Sequence, residues 1–183
     1  GSDYKIYSVA IDEPRIHAIV RKDGKVNWDL ALPDTSTSTQ DTSASAPFQM
    51  KLEKYSIRNG YISYRDDAGN MSTEIINLNH EGSGDFTADL FTLKTKTSAD
   101  AVTFIYEGIP YLARTKTVLD ADFDVDNKAS KYTFKTDRVS LNDLQLHTEG
   151  FFQMKNDSVY NMDIAFDAPS ADFKKILSLV PLI

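Results

Sequence analysis

Apolar and polar residues alternate along most of this chain. Between Val118 and Asp126, Leu119, Ala121, Phe123 and Val125 fall on one side and Asp120, Asp122, Asp124 and Asp126 on the other. Successive side chains of a strand point to opposite faces, so this segment predicts a ribbon with one apolar and one wet face. Val102, Phe104 and Tyr106 alternate with Thr103 and Ile105, and Tyr132 and Phe134 with Lys131, Thr133 and Lys135. Further on, Tyr160, Met162, Ile164 and Phe166 alternate with Asn161, Asp163, Ala165 and Asp167. Two shorter runs flank Asn142-Asp143, which reads as a bulge or bend. Val, Ile, Thr, Tyr and Phe fill these runs, as strands favour.

Turn chemistry punctuates the pattern. Asp23-Gly24 and Asn59-Gly60 are hairpin signals, and Asp66 to Asn70, Gly82 to Asp85, Asp126 to Lys128 and Lys155 to Asp157 read as further turns. About ten to twelve strands are expected, joined mostly by short turns and hence antiparallel. One segment departs from period two. After Pro169, Ser170 is a good N-cap, and Phe173, Ile176, Leu177 and Val180 follow helical spacing until Pro181. A further helical turn is expected over 108–112. The fold class is therefore mostly β: a long curved antiparallel sheet, groove-like or sandwich-like, with one short C-terminal amphipathic helix.

Residues 34–47 contain eight Ser or Thr among fourteen, and no aromatic side chain. Such a stretch buries too little apolar area to offset its ordering entropy, so it reads as a linker or loop. It divides the chain into an N-terminal β unit (1–33) and a main β domain (48–183) ending in the helix. A weak internal echo relates Lys54-Tyr55-Ser56-Ile57-Arg58, with Ser63 and Asp66, to Lys131-Tyr132-Thr133-Phe134-Lys135, with Ser140 and Asp143. Repeated β units suit an elongated architecture.

Charge and composition narrow the function. Lys and Arg total 20 against 27 Asp and Glu, a net charge of −7, which argues against a nucleic-acid partner. Cysteine is absent, so disulfides, thiolate nucleophiles and cysteine-bound metals are ruled out. No apolar run exceeds three residues, too short for a membrane-spanning helix. Gly1-Ser2 resembles a cloning remnant, and any native targeting segment is expected upstream.

Candidate chemistry is sparse. The ladder from Asp120 to Asp126 imitates the opening of a calcium loop but lacks the glycine and the bidentate glutamate at the required positions, so it reads as a solvated strand face. His17, His80 and His147 are too widely spaced for a local metal motif. Neither a nucleophile elbow nor a phosphate-binding loop is present. We therefore expect no catalytic residue, no metal and no cofactor. Trp28, the only tryptophan, is expected to anchor the N-terminal unit as a core aromatic. The competing class is a carbohydrate-binding or glycan-cleaving β-sandwich of the cell envelope, for which Tyr55, Tyr61 and Tyr64 could line a sugar site.

A family resemblance adds to this reading. Asp12-Glu13-Pro14-Arg15-Ile16, then Asp23-Gly24-Lys25-Val26-Asn27-Trp28-Asp29, then a linker and a strand carrying Asn59-Gly60 with Tyr64-Arg65-Asp66, resembles the AsmA family of Gram-negative envelope proteins. Residues 77–86 and 169–181 are similar to its Bacteroides-type members. The motif residues are Asp23, Gly24, Asn27, Trp28, Asn59 and Gly60. The resemblance implies a periplasmic portion of a protein tethered to the inner membrane by a helix outside this sequence. It also implies a role in outer-membrane biogenesis and a relation to bridge-like lipid carriers. Lipid or membrane components are then the expected partners, and no catalytic residues carry over. The expected lipid-facing set is Val102, Phe104, Leu119, Phe123, Val125, Tyr132, Phe134, Met162, Ile164 and Phe166.

Overall fold

The computed structural model describes residues 6–29, 52–156, 159–169 and 172. Nine strands form one sheet: β1 (Ser8–Asp12), β2 (Arg15–Val20), β3 (Lys54–Asp66), β4 (Met71–Ser83), β5 (Leu90–Tyr106), β6 (Ile109–Asp126), β7 (Lys131–Leu141), β8 (Leu144–Asn156) and β9 (Val159–Asp167). Their order across the sheet is β1-β3-β4-β5-β6-β7-β8-β9, with β2 following β1 along the same side of β3. The first and last strands do not pair, so the sheet is open; it is also curved, and about three quarters of the described residues are strand. The mostly-β expectation holds, in nine strands among the described residues rather than ten to twelve. The sandwich-like alternative gives way to a single layer, because substantial contacts join only hydrogen-bonded neighbours. No helix occurs among the described residues; the expected C-terminal helix and the 34–47 linker lie outside them.

From β3 to β9 the sheet is an antiparallel meander, and its turns follow local chemistry. The Asp66 carboxylate accepts from the amides of Ala68 (2.9 Å) and Gly69 (2.7 Å), closing the β3–β4 turn, and Asp126 does the same for Ala129 (2.9 Å) before β7. Glu107 (φ 50°) and Gly108 (φ 77°) form a two-residue hairpin turn. Residues 108–112 are therefore a turn running into β6, not the expected helical turn. Asn142 (φ 51°) and Asp143 turn β7 into β8, so this pair is a hairpin rather than a bulge within one strand. Conversely, Asn59-Gly60 makes no hairpin. Asn59 takes φ 51° inside β3 as an extra residue opposite Asn79, because apolar alternation resumes at Ile62 and keeps the strand going.

The N-terminal edge breaks the antiparallel rule. Both β1 and β2 run parallel to β3. Parallel neighbours need a long crossover, and the connection from Val20 to Lys54, which includes the Ser/Thr-rich stretch, is long enough to provide one. A kink at Glu13 (φ 52°) and Pro14 separates β1 from β2 where β3 bulges, and the Glu13 amide donates to the Arg58 carbonyl at 2.8 Å.

The Asp23-Gly24 turn then brings Asn27 back onto β2. Its side chain accepts from the Ile19 amide (2.8 Å) and donates to the His17 carbonyl (2.7 Å), and its own amide donates to the Ile19 carbonyl. Asn27 thus occupies the outer edge of β2. Trp28 is 49% exposed, so it is not the core anchor expected, since the described residues form no second layer for it to fill. Asn27→Ala should cost about 1–2 kcal/mol, the scale of two backbone-directed hydrogen bonds. Hydrogen exchange should show the Ile19 amide losing protection while β5 and β6 keep theirs.

A transverse line of irregularities crosses the sheet. Asn59, Asn77 (φ 55°) and Arg114 (φ 51°) mark it on β3, β4 and β6, and β5 shifts register between Ala99 and Val102. Asn77 Nδ2 donates to Asp100 Oδ2 at 2.7 Å, tying two of these sites together. The line exchanges the parity of the inward positions. On β5 the odd residues Phe91 to Ala99 share a face with even-numbered Val102 and Phe104.

Candidate functional site

Directly paired residues on adjacent strands share a face, so register assigns every side chain. One apolar row runs Leu93, Phe123, Phe134, Gly150, Ile164, and the next runs Phe91, Val125, Tyr132, Phe152, Met162. Leu119 extends the face through Thr97 and Val139, and Phe166 sits opposite Thr148 at its rim. Beyond the bulges, Val102 joins Ile75 and Ile62, and Phe104 joins Thr73 and Tyr64. All ten residues of the expected set therefore lie on one face. Their environments differ: Val125 is 7% exposed at the centre and Phe166 78% exposed on the edge strand.

Sequence reasoning missed several members. Phe91 and Leu93 alternate with Thr92 and Lys94 and were legible in principle, whereas the doublet Phe151-Phe152 hides period two. Ile62, Tyr64 and Ile75 sit past the bulges, where parity has switched. Phe86, from the loop before β5, folds onto the same face, its ring 5.9 Å from Tyr55 and 5.3 Å from Phe91. A register row of small residues, Gly82, Thr95, Ala121 and Thr136, crosses the face and is buried beneath its larger neighbours, with Ala121 only 1% exposed. The Tyr55 ring lies over Gly82, where any Cβ would meet it.

Within this apolar surface lies one polar chain. The Tyr55 hydroxyl is 3.0 Å from His80 Nε2, and His80 Nδ1 is 2.9 Å from the Thr97 hydroxyl. Burial holds the His80 pKa below its ordinary 6.5, partly offset by Glu81, and burial raises the Tyr55 pKa. A histidine with a depressed folded pKa binds protons more weakly folded than unfolded. Its neutral form therefore stabilises the fold above about pH 6.5, and that contribution falls away as pH drops through the lowered folded value. Urea melts between pH 5 and 8 should show this loss, and His80→Gln should flatten the profile.

The opposite face is polar and largely charge-matched. Asp120 pairs with Arg138 (3.4 Å), Asp122 with Lys94 (4.0 Å) and Glu81 with Lys54 (3.8 Å), while Asp124 accepts from Thr92 Oγ1 at 2.8 Å. The aspartate ladder is thus a solvated strand face with partners on both sides. Shallow recesses of about 550 and 810 Å³ lie on this polar face, lined by these mixed charges. No group of three or more metal-binding side chains occurs among the described residues. Tyr61 faces this side, its hydroxyl 2.8 Å from Glu74, whereas Tyr55 and Tyr64 face the other, so the three tyrosines form no common platform.

The motif residues have structural duties here. Asp23 and Gly24 make the turn, Asn27 caps β2, Asn59 forms the bulge, and Gly60 is buried where a Cβ would touch Ile57, Leu78 and Pro14. The sequence matches no known family model, no curated protein and no solved structure.

Proposed function

We propose that this chain is the periplasmic part of an AsmA-like envelope protein, tethered to the inner membrane and serving outer-membrane biogenesis by carrying lipid along the apolar sheet face. One observation carries the reading: the apolar face of a single-layer sheet has no second layer against it among the described residues. An apolar sheet face must be covered by something, and acyl chains are chemically suited to it. Transfer along such a face needs many weak, exchangeable contacts, each buried methylene contributing about 0.8 kcal/mol, and no reacting groups. The protein acts in this reading without catalysis or cofactor.

The test is photocrosslinking in envelope membranes from benzophenone side chains at positions 123 and 134, with positions 133 and 135 on the polar face as controls. Lipid adducts from 123 and 134 alone are the expected result. Equal yields from both faces, or none from the apolar one, overturn the proposal.

A further inference from the structure

The outer side of β9 carries no strand among the described residues, and all nine of its residues are exposed. At the other end of the sheet Asn27 occupies the outer edge of β2, while the shorter β1 likewise has no strand on its outer side among the described residues. On β9 the apolar face shows Met162, Ile164 and Phe166, and the polar face shows Asp163 and Asp167 on either side of Ala165. Glu149 lies across from Ala165 on β8. None of these three carboxylates has an ion pair among the described residues, whereas Asp120 and Asp122 further inside each meet a cation on the next strand. Charge matching across the sheet therefore stops at β9.

We infer that the free edge of β9 receives an extended strand from a partner, apolar on one face and carrying Lys or Arg at positions i and i+4 on the other. Strand addition supplies main-chain hydrogen bonds, and alternate side chains supply selectivity. An uncovered apolar edge strand is a template for such pairing. A basic strand places its cations against Asp163 and Asp167, which are themselves four residues apart. A second copy of β9 brings further carboxylates to the same face, on a chain whose net charge is already −7. The inference stands apart from the lipid reading, since it concerns the edge and not the face.

The probe is a fluorescent nine-residue peptide of alternating Val or Tyr with Thr, bearing two lysines four positions apart. Binding to the whole chain is read by anisotropy and by hydrogen exchange at β9. We expect the peptide to bind and to protect β9 amides, with affinity falling at high salt. Replacing both lysines with glutamate should weaken binding about tenfold, and Asp163→Asn with Asp167→Asn about fivefold in a protein with unchanged circular dichroism. N-methylation of alternate peptide amides should abolish binding. Failure of the basic peptide to bind, or equal binding by its glutamate version, overturns the inference. So does protection of β9 amides in the peptide-free monomer, or self-association through β9 at the same concentration.

Discussion

Gly150→Val is expected to strip β9 from the sheet. Gly150 lies in β8 with φ 154°, opposite Phe134 and Ile164, and a Cβ built there collides with the Asp163 carbonyl oxygen of β9. The obstacle is backbone held in a ladder, so no side-chain rotation relieves it. Together with the unfavourable φ, the substitution should cost about 3 kcal/mol, relieved most readily by separating β8 from β9. Hydrogen exchange should show β9 amides losing protection first, with β4 to β6 little changed. Gly24→Ala is the useful contrast: Gly24 also has a positive φ, 78°, but nothing lies within 4 Å of its Cβ position. It should cost about 1 kcal/mol and stay local.

If the apolar face carries lipid as proposed, Phe123→Asp should remove lipid loading while leaving a folded sheet. The Phe123 side chain lies between Leu93 and Phe134, with the Phe134 ring centre 6.2 Å away, and is only partly buried. In a two-layer core a carboxylate at this position would be sealed from water and would unfold the domain. On a one-layer sheet it keeps a route to solvent. Lost packing and partial desolvation should then amount to about 2–3 kcal/mol. Lipid adducts from position 134 should fall at least tenfold, with a melting curve that remains cooperative. A variant that cannot fold would mean that Phe123 belongs to a closed core.

Much of the architecture was legible because β9 and the stretches 117–126 of β6 and 131–136 of β7 alternate without interruption, and alternation is all that a strand needs to acquire two unlike faces. The single-face placement of Phe123, Tyr132, Phe134 and Ile164 follows directly from it. Asn59-Gly60 misled because an αL residue serves a bulge as readily as a hairpin, and only the pairing partner distinguishes them. Val102 and Phe104 share a face with Leu119 through a register shift that no local pattern announces. The parallel pairing of β1 and β2 depends on a contact across the whole Val20 to Lys54 connection, and sequence-local reasoning has no access to that. Trp28 reads as a core residue because large aromatics usually seek one, and the single layer of the described residues offers none. The polar chain through His80 was hidden for a related reason: Tyr55 and Thr97 belong to two other strands.

The meander has a consequence for how the protein reaches its native state. Every antiparallel pair joins consecutive strands, so each hairpin can close over a short loop and offer its edge to the next, which favours fast, directional growth across the sheet. Among the described strands only β1 and β2 lie outside this scheme, since they must wait for β3 and pair with it across the long Val20 to Lys54 connection. The N-terminal edge is therefore the natural location of a slow refolding phase. Like β9 at the opposite edge, it can be released by a brief loss of structure without unzipping the rest.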